Sequence, residues 1–364
     1  MLAIVSGHLL CQSGLVELEG FLAMSLGSGL RIGVNVFLII GVWFMVDAEF
    51  RPERIVKLYL EVLFYSLPIT VCMVFLGEAG NIRNVIQGVF PFFGRSVWFA
   101  SAYISLIALS PFLNQFFARP SSALRVLLCV LFLLFCIVPT IPCSTPLDYV
   151  ADFSWFCVIY IVVGIIKREK LLDRIRGTKR FLLAGGVLYF ALAAMRSIPA
   201  VRPIADYWVA NIKALPNFLC AFLVFIGFLR LDIGVVKWIN LAARSVFAVY
   251  IIHQVPAFIQ FQWTTLFHAD ALAGASQIAL VSGVVGISLS VFVGASVIDF
   301  IRLRYIEPHY MASKPVKWMI SKISSFYENG IDCSCGRETD LMCCLPTKGN
   351  EVRHESDSIV KNVI

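Results

Sequence analysis

Charge is what this chain lacks: Asp, Glu, Lys and Arg make up 15% of 364 residues, against 59% hydrophobic residues and a mean hydropathy of +0.84. A soluble domain carries roughly a quarter charged residues, so the composition excludes an ordinary soluble enzyme and points to a membrane protein. Apolar runs recur as far as residue 301, which leaves no soluble domain to house catalysis. Residues 1–16 lack a basic n-region and an A-x-A-like exit, so no cleavable signal peptide is expected. No internal repeat of the transporter kind is present. Eleven cysteines, most of them in or beside apolar runs, make no disulfide framework. Cys143 is the only one in a clearly external loop, with no second loop cysteine to pair with. Cys333, Cys335, Cys343 and Cys344 form a C-x-C and C-C cluster without the spacing of a zinc knuckle. Metal binding, palmitoylation and incidental free thiols are its alternatives, and no metal is indicated in the apolar part.

What the chain does have is a succession of apolar runs, each near the ~17 to 25 residues that cross a bilayer as a helix. We place spans at 1–16, 32–46, 56–76, 97–117, 124–138, 153–166, 181–195, 212–229, 241–262 and 276–301. Nine or eleven spans are alternatives, because the first two are short. With an inward N-terminus, inside loops carry fifteen Lys and Arg, from Arg51, Arg54 and Lys57 to Arg244. Outside loops carry six: Arg31, Arg83, Arg95, Arg196, Arg202 and Lys213. The positive-inside rule therefore places both termini in the cytoplasm. The expected fold is an all-α, polytopic transmembrane bundle of about ten helices over residues 1–301. A polar cytoplasmic tail, largely disordered, is expected over 302–364. The net charge of +7 calls for no nucleic acid, because orientation and anionic membrane lipids account for it.

Two histidines lie within apolar runs, His8 in the first span and His253 in the ninth. An ionisable side chain at that depth faces a protein interior or wet cavity and marks a functional site, or else is an imidazole bonded between helices. Acyl transfer suits such a residue. Histidine titrates near neutrality, can take a proton from an acceptor hydroxyl and return it to a leaving thiolate, or can itself be acylated. Proton-coupled transport would use the same side chain. Arg51, Arg54 and Lys57 follow the second span on the expected cytoplasmic face, where they are either topology signals or a fork for the phosphates of a nucleotide thioester. Seven cations among residues 167–180 read as topology. Glu61 and Asp299 are the carboxylates within expected spans; they either orient a histidine or neutralise an arginine of the 51–57 group, but snorkelling to the interface explains them most simply. Trp98 and Tyr103 open the fourth span, as interfacial aromatics or as a platform for a sugar ring.

Four stretches in order resemble the acyltransferase-3 family of integral-membrane acyltransferases. They are Ile4 to His8; Gly33 to Met45 with the following Arg51 and Arg54; Trp98 to Leu106 with Ser110-Pro111-Phe112-Leu113-Asn114; and Phe247 to His253, containing Tyr250. The resemblance covers residues 1 to about 305 and implies a ten-helix core, an acyl-CoA donor reached from the cytoplasm, and acceptors that are commonly surface or secreted glycans. It also implies a catalytic role for His8 and a donor-phosphate role for Arg51 or Arg54, with Lys57 beside them. His253 and Tyr250 become catalytic or structural residues, and Trp98, Tyr103 and Asn114 acceptor-side residues. No cofactor is implied beyond acyl-CoA, such as acetyl-CoA, as co-substrate. Family members usually place a basic residue eleven positions before the first-helix histidine, whereas this chain begins seven before His8, so a start upstream of Met1 is expected. Gly41-Val42 stands where the family often has Ser-Gly.

The resulting expectation is an O-acetyltransferase of the plasma membrane acting on a capsular, exopolysaccharide or wall-linked sugar. The rival class is a transporter or exporter of a small acid or glycan precursor. A third reading is an inactive relative kept as a partner for glycan-assembly proteins.

Overall fold

The computed structural model describes residues 1–15, 21–93, 97–116, 126, 130, 133–141, 152–173, 177–229, 231 and 234–332. About half of the expected span at 124–138, with Cys143, Arg95, Arg119, Arg125, Arg174, Arg176, Arg230 and the four tail cysteines, lies outside them. Among the described residues no strand occurs. The helices are α1 (Leu2–Gln12), α2 (Phe21–Met45), α3 (Pro52–Phe75), α4 (Ile82–Val89), α5 (Trp98–Phe116), α6 (Asp152–Arg168), α7 (Thr178–Arg196), α8 (Arg202–Ala210), α9 (Leu215–Leu229), α10 (Lys237–Arg244), α11 (Val246–His253), α12 (Pro256–Gln260), α13 (Gln277–Ile301), α14 (Glu307–Ala312) and α15 (Lys314–Asp332). A π-helical turn, Arg302–Ile306, joins α13 to α14.

Among the described residues four helices are long and apolar enough to cross a bilayer: α2, α3, α7 and the run Gln277–Ala312. The pair α8 and α9, bent by 58°, makes a fifth when counted as one span. The expected number of about ten is thus met only in part. At eleven residues α1 is about 16 Å long, half of a ~30 Å hydrocarbon layer.

Three expectations need correction. The second span begins at Phe21 rather than 32, so Arg31 is not in a loop but ten residues, about 15 Å, inside α2. The ninth span is not one helix. Pro256 has no N–H to offer the carbonyl of Ile252, Val255 turns extended (φ −65°, ψ 119°), and the chain breaks after His253. Glu61 and Asp299 do not snorkel: they are 3% and 0% exposed and both contact Arg302, itself 1% exposed. The residues beyond 301 continue as packed helix to Asp332: Tyr327 on α15 stacks near Phe50 and donates its hydroxyl to the Ala108 carbonyl, 2.6 Å away.

Local chemistry explains the helix starts. Pro52 sits in the first turn of α3 with Glu53, where its missing N–H costs nothing and a carboxylate meets the positive end of the helix dipole. The Asn81 and Ser276 side chains accept from the third residue onward and cap α4 and α13. Packing is close between α1 and α2. A Cβ at Gly7 would stand 2.5 Å from the Leu30 Cβ, so only glycine admits this approach. Gly41 has the same role against Tyr103, whose hydroxyl would lie 2.6 Å from an added Cβ. Asn35, fully buried, donates to the Ile212 carbonyl (2.9 Å) and accepts from the Trp155 indole (3.0 Å), which fixes α2 against α6 and the α8–α9 bend.

Candidate functional site

The short sequence Ser6-Gly7-His8 makes three separate contacts because successive helical residues point about 100° apart. The Ser6 hydroxyl pairs with Ser288 on α13 at 2.9 Å, Gly7 lies on α2, and His8 reaches the end of α11. There His8 Nδ1 meets His253 Nε2 at 2.9 Å. The other nitrogen of His253, Nδ1, stands 2.6 Å from the Val249 carbonyl one turn earlier. A carbonyl only accepts, so His253 Nδ1 carries the hydrogen and, for two neutral rings, the rest follows. His253 Nε2 accepts, His8 Nδ1 donates, and the lone pair of His8 is left on Nε2. The break before Pro256 therefore holds one imidazole, which sets the tautomer of the other. Beside the pair, Gln12 donates to Gln254 (3.2 Å) and accepts from Trp263 (2.8 Å), a further brace between α1 and the chain before and after α12.

A cavity of about 20 Å³ adjoins His8, lined also by Arg31, Phe37, Trp98, Phe99 and Tyr250. That is room for about one water. The Tyr250 hydroxyl accepts from the Phe99 N–H (3.3 Å) at the start of α5. Its own hydrogen has no acceptor among the described residues, so it is available to an oxygen in the cavity. Phe99 is the hub of the wall, with ring centroids 5.4 Å from Phe37, 5.8 Å from Tyr103 and 5.6 Å from Tyr250.

The other nominated residues are not all gathered here. Trp98 lines the His8 cavity, and Tyr103 is buried one turn further along α5. Asn114 lies about 24 Å beyond Trp98 along α5 and accepts from the Tyr160 hydroxyl at 3.0 Å. On the basic face, exposed Arg51 meets Glu49 at 3.8 Å and Lys57 is held by Glu307 at 2.8 Å. Arg54, half-buried, has no ion pair among the described residues. It is the open cation of the three.

The two ends of α2 carry different charge clusters. Near its start Arg196 bonds the Met24 carbonyl (3.0 Å) and Asp206 (2.6 Å); near its end Lys167 bonds the Trp43 carbonyl (2.5 Å) and Asp47 (2.7 Å). Met24 and Trp43 are nineteen residues, about 28 Å, apart, close to the thickness of the hydrocarbon layer. The 51–57 group lies at the Asp47 end, and the histidine pair lies between the two ends.

Sequence reasoning missed Arg31, whose signal was present: residues 21–30 carry no charge and are mostly apolar. It missed Arg302 because a cation next to a predicted helix end reads as interfacial. Among the described residues no group of three metal-ligating side chains occurs.

No curated protein and no solved structure matches the chain. A family model described as an acyltransferase domain matches residues 1–299, from the start of the chain through Asp299 and including both histidines and the 51–57 group. The chain therefore belongs to the acyltransferase-3 family and is a membrane acyltransferase.

Proposed function

We propose that this acyltransferase moves an acetyl or similar acyl group from acyl-CoA to a hydroxyl of a cell-surface or secreted polysaccharide, at the plasma membrane. The observation that carries the reading is the His8–His253 pair, with one nitrogen of His8 left without a partner among the described residues, beside a cavity of about 20 Å³. The acceptor oxygen attacks the thioester carbonyl carbon as His8 Nε2 takes its proton. The positive charge that develops on His8 is eased through its Nδ1–H bond to His253. The carbonyl oxygen, now negative, receives the Tyr250 hydroxyl hydrogen bond. Collapse breaks the C–S bond, and the coenzyme A thiolate takes the proton back from His8. One ester forms, one thioester is lost, and no redox partner is needed.

Arg54, with Arg51 and Lys57 nearby, is the seat proposed for the donor's phosphates, on a face that the distribution of Lys and Arg orients to the cytoplasm. Both termini then lie on that side. The test uses purified protein in nanodiscs with acetyl-CoA and a polysaccharide acceptor. Free coenzyme A thiol should appear in proportion to acylated product; uptake of substrate into proteoliposomes without thiol release would instead support the transporter.

The donor site gives a separate expectation. Arg54→Ala should raise the KM for acyl-CoA about tenfold or more while kcat changes little, because a phosphate contact is made equally in ground and transition states. Steady-state kinetics with varied donor checks this, and an unchanged KM would leave Arg54 a topology signal.

A further inference from the structure

A second and larger cavity, about 330 Å³, lies at the α2 end opposite the 51–57 group. Leu10 and Cys11 of α1, Arg31 of α2, Arg196, and Arg202 and Asp206 of α8 line it. Its volume is that of a small-ligand pocket. Three guanidinium groups and a single carboxylate line it. Asp206 is taken by Arg196 at 2.6 Å and Arg202 at 3.4 Å, and Arg196 also donates to the Met24 carbonyl and to Ser28. Arg31 is left with no hydrogen bond or ion pair among the described residues.

An arginine about 15 Å inside a membrane helix costs at least ~2.5 kcal/mol, and such residues ordinarily pair or serve a site. Arg31 does not pair, and it lines both cavities, the large one and the small one that holds His8.

We infer that the large cavity receives the acyl acceptor and that the acceptor is anionic, a carbohydrate bearing a carboxylate or a phosphate whose oxygens seat on Arg31. This rests on the acyl-transfer reading for the identity of the cavity's ligand as acceptor. The planar fork of arginine fits two oxygens of one anionic group. An acceptor so held has its ring in the large cavity and a hydroxyl within reach of the small one, where His8 Nε2 is unbonded. Arg31 selects the acceptor by charge, and the pair Arg196–Asp206 with Arg202 keeps the surrounding wall net positive without competing for it.

Binding can be read without any acyl donor, so the inference and the acyl-transfer reading fail separately. Thermal unfolding of the full chain in nanodiscs of zwitterionic lipid is titrated with glucuronate, glucose 6-phosphate, glucose and glycerol 1-phosphate. Glucuronate and glucose 6-phosphate should raise Tm in a saturable way, and glucose should not. Arg31→Gln should weaken the apparent affinity by on the order of tenfold or more, with Arg31→Lys retaining part of it. Should Arg31→Gln fold poorly, Ala210→Trp, which fills the cavity from the end of α8, should remove the same shift. An equal shift with glucose overturns the charge argument. A shift with glycerol 1-phosphate alone assigns the cavity to a lipid headgroup and overturns the carbohydrate. Saturable, Arg31-dependent binding in a protein that releases no thiol would keep the cavity and sink the acyl-transfer reading instead.

Discussion

His8→Ala is expected to lower acyl transfer by a factor of about 10² to 10⁴, the range general acid–base groups supply, while the protein still inserts and folds. Two steps need the imidazole: removal of the acceptor proton and its return to the thiolate. Without it the attacking oxygen stays a neutral hydroxyl and the leaving group departs unprotonated. The structural cost is smaller. The substitution leaves His253 Nε2 without its donor at 2.9 Å, a buried polar group worth about 1 to 3 kcal/mol. His253→Ala should also reduce transfer, because His8 then loses both its tautomer restraint and the acceptor for its Nδ1–H. The double variant should be little worse than His8→Ala alone, since two groups that act as one unit lose their effect once. Rates of thiol release measured on the four proteins decide this. Multiplying penalties would mean that the histidines act independently, and unchanged turnover in His8→Ala would remove it from the mechanism.

Arg302→Met is expected to give the largest loss of stability, about 3 to 5 kcal/mol. The guanidinium touches Asp299 (2.8 Å), Glu61 (3.1 Å), Glu307 (2.5 Å) and the hydroxyls of Tyr65 (3.1 Å) and Tyr310 (3.0 Å), with Arg302 only 1% exposed. Removing it strands two buried carboxylates that make no other ion pair among the described residues, Lys57 being engaged by Glu307. Arg304→Met two residues on is the control: that side chain is exposed and lies over the Tyr305 ring, so a change within about 0.5 kcal/mol is expected. Replacing Arg302, Glu61 and Asp299 together by Met, Leu and Leu should recover much of the loss, because the penalty comes from stranded charge rather than from a lost attraction. Thermal unfolding in detergent or nanodiscs reads all three; equal melting of Arg302→Met and Arg304→Met would mean that the cluster is not coupled to folding. Since Glu307 also holds Lys57, a raised KM for the donor should accompany the instability.

These two sites were legible to different degrees. Hydropathy located α3, α5, α6, α7 and α13 to within a few residues, because a run of apolar side chains is a local property with a clear period and length. It shortened α2, because a single arginine was taken as a boundary. It lengthened the segment around His253, because window hydropathy weighs the apolar side chains of Val255 and Pro256 and not the N–H that proline lacks. His8, His253, Tyr250 and Trp98 could be nominated from residue type and order, and they meet around one small space. Asn114 was nominated in the same way and stands apart.

By itself, then, the sequence determined the membrane setting, the all-helical class, the family and which histidines lie within apolar runs, since each follows from composition, local period or motif order. Only the tertiary structure decided which partner each polar group has. Bringing His8 to His253 across 245 positions, Tyr65 to Asp299 across 234, and leaving Arg31 alone between two cavities are outcomes of helix packing. In a low-dielectric interior the partner decides whether a charged or polar side chain is a brace, a base or a binding site, and no local pattern in the chain encodes it.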